Sequence, residues 1–300
     1  VIVVGNLSVG GTGKTPQIEY LIRLLSERFS LATLSRGYKR KSEGFILADK
    51  NSNAQILGDE PFQYYTKFPK IQVAVDIDRR NGIEQLLSQS SPPEIILLDD
   101  AFQHRKVKAG FYILLTTYSE LFCDDFILPF GNLREPSSGK KRANMIIVTK
   151  CPFDISELAM SEIKMKLEVD VPVFFSKVEY DELVYSEMKQ IKTADLKQAE
   201  KTIVTGIAKP FPFISYLKSE NDLVLEFPDH HNFTEKEIDN IKKVSKNKAI
   251  ITTEKDYMRL KGSLSKEQLF YLPIKSVFLK DADVLDKIIL DYVGKSSRNG

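Results

Sequence analysis

Lys14 and Thr15 close a glycine-rich run in "VIVVGNLSVGGTGKT", the first fifteen residues of the chain. A lysine and a hydroxyl side chain after such a run are suited to a nucleoside triphosphate. Backbone N–H groups surround the phosphates, the lysine reaches the β- and γ-phosphates, and the hydroxyl helps hold Mg²⁺. Gly10, Gly11, Thr12 and Gly13 stand where the backbone must come closest to phosphate. The pattern G-x-x-x-x-G-K-[ST] departs at one position, where Ser8 replaces the first glycine. Serine is tolerable there if its φ is negative. A phosphate loop also needs a carboxylate for its metal, usually at the end of an apolar strand. "EIILLDD" over 94–100 supplies Asp99, with Asp100 beside it.

These groups need a strand and a helix to hold them. Residues 1–4 form a short β-branched run. Ile18, Leu21, Ile22, Leu24 and Leu25 share one face of a helix predicted over 15–28, and Pro16 suits its first turn. The glycines therefore lie at a helix N-terminus, where free N–H groups and the helix dipole favour an anion. Further strands are predicted over 31–35, 71–75, 94–100, 112–117, 145–150 and 171–175, with helices over 82–90 and 156–168. The strands are continuous apolar runs, which implies a mostly parallel sheet buried on both faces.

The expected fold is α/β: a P-loop NTPase-type domain over 1–175 and a smaller α/β domain over 201–300. The charged stretch 176–200 between them reads as a linker or hinge. The second domain should hold strands over 202–206, 222–227 and 248–252 and helices over 210–219 and 234–246. Ligands of open α/β sheets bind beyond the carboxyl ends of the strands. "SRGYKR" (35–40), "GDEP" (58–61) and "GNLREP" (131–136) are polar segments at apparent strand ends. They bring forward Arg36, Asp59, Glu60, Arg134 and Glu135.

Composition excludes several classes. Of 300 residues 42% are apolar, enough for buried cores, and 28% are charged with a net charge of +2. That balance makes no electrostatic case for nucleic acid. The clusters Lys39-Arg40-Lys41 and Lys140-Lys141-Arg142 read either as solvated surface or as contacts to phosphate or anionic lipid head groups. Two cysteines, Cys123 and Cys151, and three histidines give neither zinc spacing nor a disulfide framework, and a reducing compartment fits. There is no apolar run of the roughly 18 residues that span a bilayer. The start at Val1, inside an apparent strand, leads to the expectation that an upstream segment is missing. On residues alone the chain is a P-loop enzyme with an open acceptor, or a nucleotide-hydrolysing switch or assembly factor. The lack of an N-K-x-D segment lowers a GTPase.

"VGNLSVGGTGKTP", "SRGY", "GDEP", "LLDDAFQH", "LREP", "TGIAKP", "FPDHHNF" and "TTEKD" together resemble tetraacyldisaccharide 4'-kinase of Gram-negative bacteria, in order from residue 1 to about 260. The resemblance implies transfer of the ATP γ-phosphate to the 4'-hydroxyl of a lipid disaccharide 1-phosphate. It implies a peripheral enzyme at the cytoplasmic face of the inner membrane, in contact with its anionic surface and without a protein partner. It implies two α/β/α domains joined by a β-ribbon hinge, with an N-terminal membrane-associating helix before the P-loop strand. By the same resemblance Lys14 and Thr15 serve ATP and Mg²⁺, and Asp99, Asp100 and Glu60 belong near the metal. Asp59 matches the proposed base and His230 its partner, with His231 as an alternative, so that closure of the interdomain cleft would assemble the site. Arg36, Tyr38, Arg79, Gln103, His104, Arg134 and Glu135 match positions near ATP, metal or sugar. Ser8 is a small residue of the kind the family carries there. Ala101 replaces a family glycine and puts the local backbone in question.

Overall fold

The computed structural model describes residues 1–296. The chain forms two compact units, Val1–Glu179 together with the chain from Lys275 onward, and Tyr180–Ile274. The first unit runs β1 (Ile2–Asn6), α1 (Lys14–Leu25), β2 (Leu31–Ser35), β3 (Ile46–Leu47), α2 (Ala54–Leu57), α3 (Asp59–Lys67), β4 (Gln72–Val75), α4 (Arg79–Leu87), β5 (Ile95–Asp99), β6 (Phe111–Thr117), β7 (Met145–Thr149), α5 (Glu157–Leu167) and β8 (Val173–Tyr180). The second carries β9 (Leu183–Tyr185), β10 (Gln190–Lys192), α6 (Thr193–Gln198), β11 (Lys201–Thr205), α7 (Phe211–Leu217), β12 (Leu223–Glu226), α8 (Glu235–Ser245), β13 (Ala249–Thr253), α9 (Glu254–Leu260) and β14 (Leu269–Leu272). β15 (Ile274–Phe278) and α10 (Ala282–Ser296) complete the first.

The first sheet has the order β15-β8-β7-β6-β1-β5-β2-β4-β3. From β8 to β4 every pairing is parallel, and β3 is antiparallel to β4. Successive side chains of a strand point to opposite faces. Ile2 and Val4 accordingly enter one core cluster with Ile18, Ile22 and Leu25 of α1, while Val3 enters another with Leu34, Leu98, Leu114 and Leu167. Burial on both faces is the reason these strands read as unbroken apolar runs. In the second unit β14, β13, β11 and β12 are parallel, with β9 and β10 added antiparallel at the edge beside β14.

The observed division corrects two expected boundaries. The charged stretch 176–200, expected as a linker or hinge, contains the second half of β8, β9, β10 and α6, and its residues divide between the two units. Gln17 Nε2 donates to Ser176 Oγ at 3.0 Å and to Ser276 Oγ at 2.6 Å, which ties α1 to β8 and β15. The other correction concerns residues 275–296, expected in the second domain but folded into the first unit. Leu285, Ile289 and Val293, four residues apart along α10, are buried in the same cluster as Ile2 and Ile22. Tyr20 also donates to Asp286 Oδ1 at 2.7 Å.

Ile289→Ala is therefore expected to destabilise the first unit by about 2–5 kcal/mol. Urea denaturation should show that loss in the first unit's transition, with the Tyr180–Ile274 unit unaffected.

Candidate active site

The loop between β1 and α1 is held from both sides. Val9 N donates to Asn132 O at 2.7 Å and Arg134 N to Leu7 O at 2.7 Å, and Ser8 forms an antiparallel bridge with Leu133. On the other side Thr149 Oγ1 donates to Thr12 O at 2.8 Å and Lys150 Nζ to Gly11 O at 2.5 Å. Gly10 has φ 99° and Gly13, the N-cap of α1, has φ 81°, a region that favours glycine. Ser8 is absent from the positive-φ residues of the described chain. Its place in a bridge makes a glycine unnecessary. Ala101 is likewise absent from that set, and the left-handed residue is its neighbour Asp100, φ 49°.

Beneath the loop, buried Asn6 is a junction whose role its residue type does not announce. Its Nδ2 donates to Ser8 O at 2.7 Å, while its Oδ1 accepts from Arg134 Nη2 at 2.6 Å and Lys14 Nζ at 3.4 Å. Arg134 Nε donates to Ser8 O at 3.1 Å. The same guanidinium grips Asp100 with two bonds, 3.0 and 3.3 Å, and Lys14 Nζ lies 3.6 Å from that carboxylate. Burial pushes the Asp100 carboxyl up, but Lys14 and Arg134 outweigh it and hold it below the usual range.

Asp99 differs from its neighbour. Its Oδ2 accepts from Tyr64 at 3.3 Å and from Ser35 at 3.5 Å, and its Oδ1 is buried without a hydrogen-bond partner. Burial first, and then the Asp100 charge, raise its pKa to about 6. Burial, Asp99 and Glu60 push the Tyr64 phenol far up, so it remains a donor, and the Thr15 hydroxyl lies close to it. An orphaned buried carboxylate oxygen near Thr15 is a donor set that fits a hard cation. Among the described residues no group of three or more His, Cys, Asp or Glu side chains could hold a metal alone. A P-loop site takes its remaining ligands from phosphate and water.

Other expected residues gather beyond the same strand ends. Arg79, at the start of α4, is buried; its Nη1 donates to Ile77 O at 2.9 Å and its Nε lacks a partner. Burial lowers its pKa, the charges of Asp99 and Asp100 oppose that, and nearby Arg36 adds to it. His104 Nε2 is buried, 3.9 Å from Asp78 Oδ1, and burial followed by Arg79 keeps the ring neutral. Tyr38 is exposed, with Lys39 Nζ 5.6 Å over its ring. Asp59 and Glu60 open α3, after Gly58 at φ 92°. A Cβ on Gly58 would meet the Gly37 backbone at 3.2 Å, so "GDEP" packs on "SRGY".

Gln103 and Glu135 face inward instead. Gln103 Nε2 donates to Asn6 O at 2.7 Å and to Glu135 Oε1 at 3.1 Å. Glu135 also takes Arg142 at 2.6 Å and Arg105 at 2.7 Å, which makes it a buttress of the loop. The basic clusters serve similar ends: Arg40 Nη2 donates to Gly44 O at 2.6 Å and Lys140 Nζ to Leu167 O at 2.8 Å. Thr149 and Lys150 are loop supports that the motifs do not include. Their signal is a polar pair ending an apolar strand, the same signal that exposes Asp99 and Asp100.

In the second unit three motifs converge on Asp256, which is fully buried. Its carboxylate accepts from Gly206 N at 2.9 Å, Thr253 Oγ1 at 2.8 Å and Arg259 Nη1 at 3.3 Å. Arg259 Nη2 lies 2.9 Å from His230 Nδ1. A guanidinium only donates, so Nδ1 accepts and the imidazole proton sits on Nε2. His230 has φ 57°, with its N–H on Gly206 O at 3.2 Å. His231 is engaged elsewhere: Nε2 is 3.0 Å from Glu237 Oε2 and the ring stacks on Phe227 at 5.0 Å. Asp59 and His230 belong to different units.

The family model for tetraacyldisaccharide-1-P 4'-kinase matches residues 1–293. The chain belongs to this kinase family. The tetraacyldisaccharide 4'-kinase of Flavobacterium psychrophilum is 63% identical over 304 residues, covering 100% of this chain and 89% of that protein. The enzyme of the same name from Flavobacterium johnsoniae is 60% identical, covering 98% and 87%. A crystal structure of LpxK from Aquifex aeolicus, an "apo" form in complex with ATP, superposes with a TM-score of 0.78. It is 31% identical and the match covers 97% of this chain and 88% of that one. The α/β fold, with its large and mostly parallel sheet, is thus the fold of a solved member of the kinase family.

In the metal-free kinase Asp99 should act against stability. Its folded pKa, about 6, lies above its unfolded value, so the folded state loses stability as pH rises from about 4 through about 6. Asp99→Asn is expected to raise the unfolding free energy by roughly 1–3 kcal/mol at pH 8 and not at pH 3.5, while abolishing turnover. Urea titrations at both pH values, beside a turnover assay, check this.

Proposed function

We propose that this chain transfers the γ-phosphate of ATP to the 4'-hydroxyl of a tetraacylated glucosamine disaccharide 1-phosphate, in lipid A biosynthesis. The match of the kinase family model over residues 1–293 carries the reading. The phosphate loop and the acidic end of β5 support it on physical grounds.

Phosphoryl transfer asks a protein for positioning and charge neutralisation more than for covalent chemistry. The N–H groups of 10–13 would receive the phosphates, with Lys14 on the β- and γ-phosphates. Thr15 and Asp99, with Glu60 behind them, would hold Mg²⁺, which supplies charge neutralisation when bound. Asp100 suits a different role. With both oxygens on Arg134, it fixes Lys14 and the loop. Arg79 and Arg36 would cover charge developing on the γ-phosphate. Asp59 would take the proton of the 4'-hydroxyl. His230 would orient it through the Nε2 proton that its Arg259 contact leaves in place. The lipid acceptor implies work at an anionic membrane surface, proposed as the cytoplasmic face of the inner membrane. Among the described residues no helix is long and apolar enough to cross a membrane, so a peripheral attachment is the form proposed.

Turnover of ATP with and without the lipid disaccharide, with products identified by mass, tests the reaction. Acceptor-dependent phosphorylation is expected; acceptor-independent hydrolysis would instead make the chain a switch. Asp59→Ala should lower kcat by roughly 10²–10⁴ with ATP affinity nearly unchanged. Lys150→Ala should raise the KM for ATP several-fold, on the order of a lost charge-assisted hydrogen bond, and spare kcat at saturation.

A further inference from the structure

The segment 125–133 carries four large apolar side chains that stand out from the fold. Phe126 is 71% exposed, Ile127 45%, Leu128 50% and Phe130 90%. Isolated exposed apolar residues are ordinary, but four within five positions form a patch. The segment is nevertheless built. Leu133 N donates to Phe126 O at 2.9 Å, Leu128 N to Leu133 O at 3.0 Å and Phe130 N to Ile127 O at 3.1 Å. The Asp125 carboxylate accepts from Phe126 N at 2.8 Å and Asn132 N at 3.0 Å. An open depression of about 390 Å³ lies among Phe126, Ile127, Phe130 and Leu133.

Two observations indicate what covers it. The loop is continuous with the phosphate site, because Asn132, Leu133 and Arg134 bond directly to residues 7–9. The charges at its base, with the ionised Asp125 carboxylate counted against them, leave a small positive excess. Arg105 and Arg142 share the single carboxylate of Glu135, Lys141 is exposed, and Asp124 is neutralised by Lys166 at 2.6 Å. Aromatic and aliphatic tips above a basic rim match the two layers of an anionic bilayer, acyl chains and head groups.

We propose that the 126–130 loop inserts into the surface of an anionic lipid bilayer and so places the phosphate loop at the depth of its acceptor. The inference rests on the reading of the acceptor as an acylated lipid. The rigid base of the loop makes this a fixed spacing: whatever depth Phe126 and Phe130 reach, the phosphate loop stands a set distance above it.

The chain has no tryptophan. Phe130→Trp therefore puts the sole tryptophan at the loop, excitable apart from the tyrosines at the red edge, and Phe153→Trp puts one at another exposed site of the same unit. On phosphatidylglycerol vesicles the Phe130→Trp emission should shift to shorter wavelength and be quenched by brominated acyl chains, with Phe153→Trp unchanged. The double variant Phe126→Asp/Phe130→Asp should partition onto vesicles at least roughly tenfold less. It should keep the wild-type urea midpoint and the wild-type kcat on acceptor dispersed in detergent. Vesicle binding with Phe130→Trp unquenched, undiminished binding by the double variant, or no vesicle binding at all would overturn the proposal. An emission shift that follows protein concentration without vesicles would overturn it in favour of a second copy of the chain. If the kinase reading itself fails, the dispersed acceptor is not phosphorylated by the wild type, whatever the vesicles show.

Discussion

The first unit depends on one guanidinium. Arg134 holds the Asn6 side chain, the Ser8 carbonyl and both oxygens of Asp100. Those three partners come from the end of β1, the phosphate loop and the residue after β5. A flat, always-charged group with donors in a fixed fork can serve several acceptors at set angles, which a lysine cannot. The loop conformation is therefore imposed by a segment more than a hundred residues away, as much as by its own glycines.

The two aspartates at the end of β5 show how position divides labour between identical side chains. Asp100, in a left-handed backbone conformation, turns toward Lys14 and Arg134 and is kept ionised. Asp99 remains in line with the strand, buried, with one oxygen unpartnered and its carboxyl pushed up to about 6. A site that leaves a carboxylate in that state has an energetic reason to accept a cation, since the cation offsets the cost of charging it.

Much of this is legible in the sequence because parallel strands buried on both faces leave a plain apolar signature. The P-loop, the helix after it and the acidic strand end can be read from residue types and spacing. Contacts that join distant segments through ordinary polar residues cannot. Asn6 lies in the loop motif but nothing in its type announces a role, and Glu135 resembles a ligand contact until its three partners are known. Gln17 and Ser176 look unremarkable until folding pairs them. The stretch 176–200 reads as a linker or hinge because it is charged and partly exposed, and short strands with polar side chains on an open face carry the same pattern. The placement of α10 is hidden for another reason: an amphipathic helix announces that it must pack, but not against what.

The return of the chain at β15 has a consequence for how the protein is made. The second unit is one contiguous segment, Tyr180–Ile274, whereas the first is split by it. A ribosome delivers residues in order, and domains tend to fold as they emerge. The inserted unit has all its residues before Lys275 is translated. The core around Ile2 and Ile22 lacks Leu285, Ile289 and Val293 until α10 has been translated. The split unit is thus completed only after the inserted one, and the phosphate loop waits for its full support until α10 has been made.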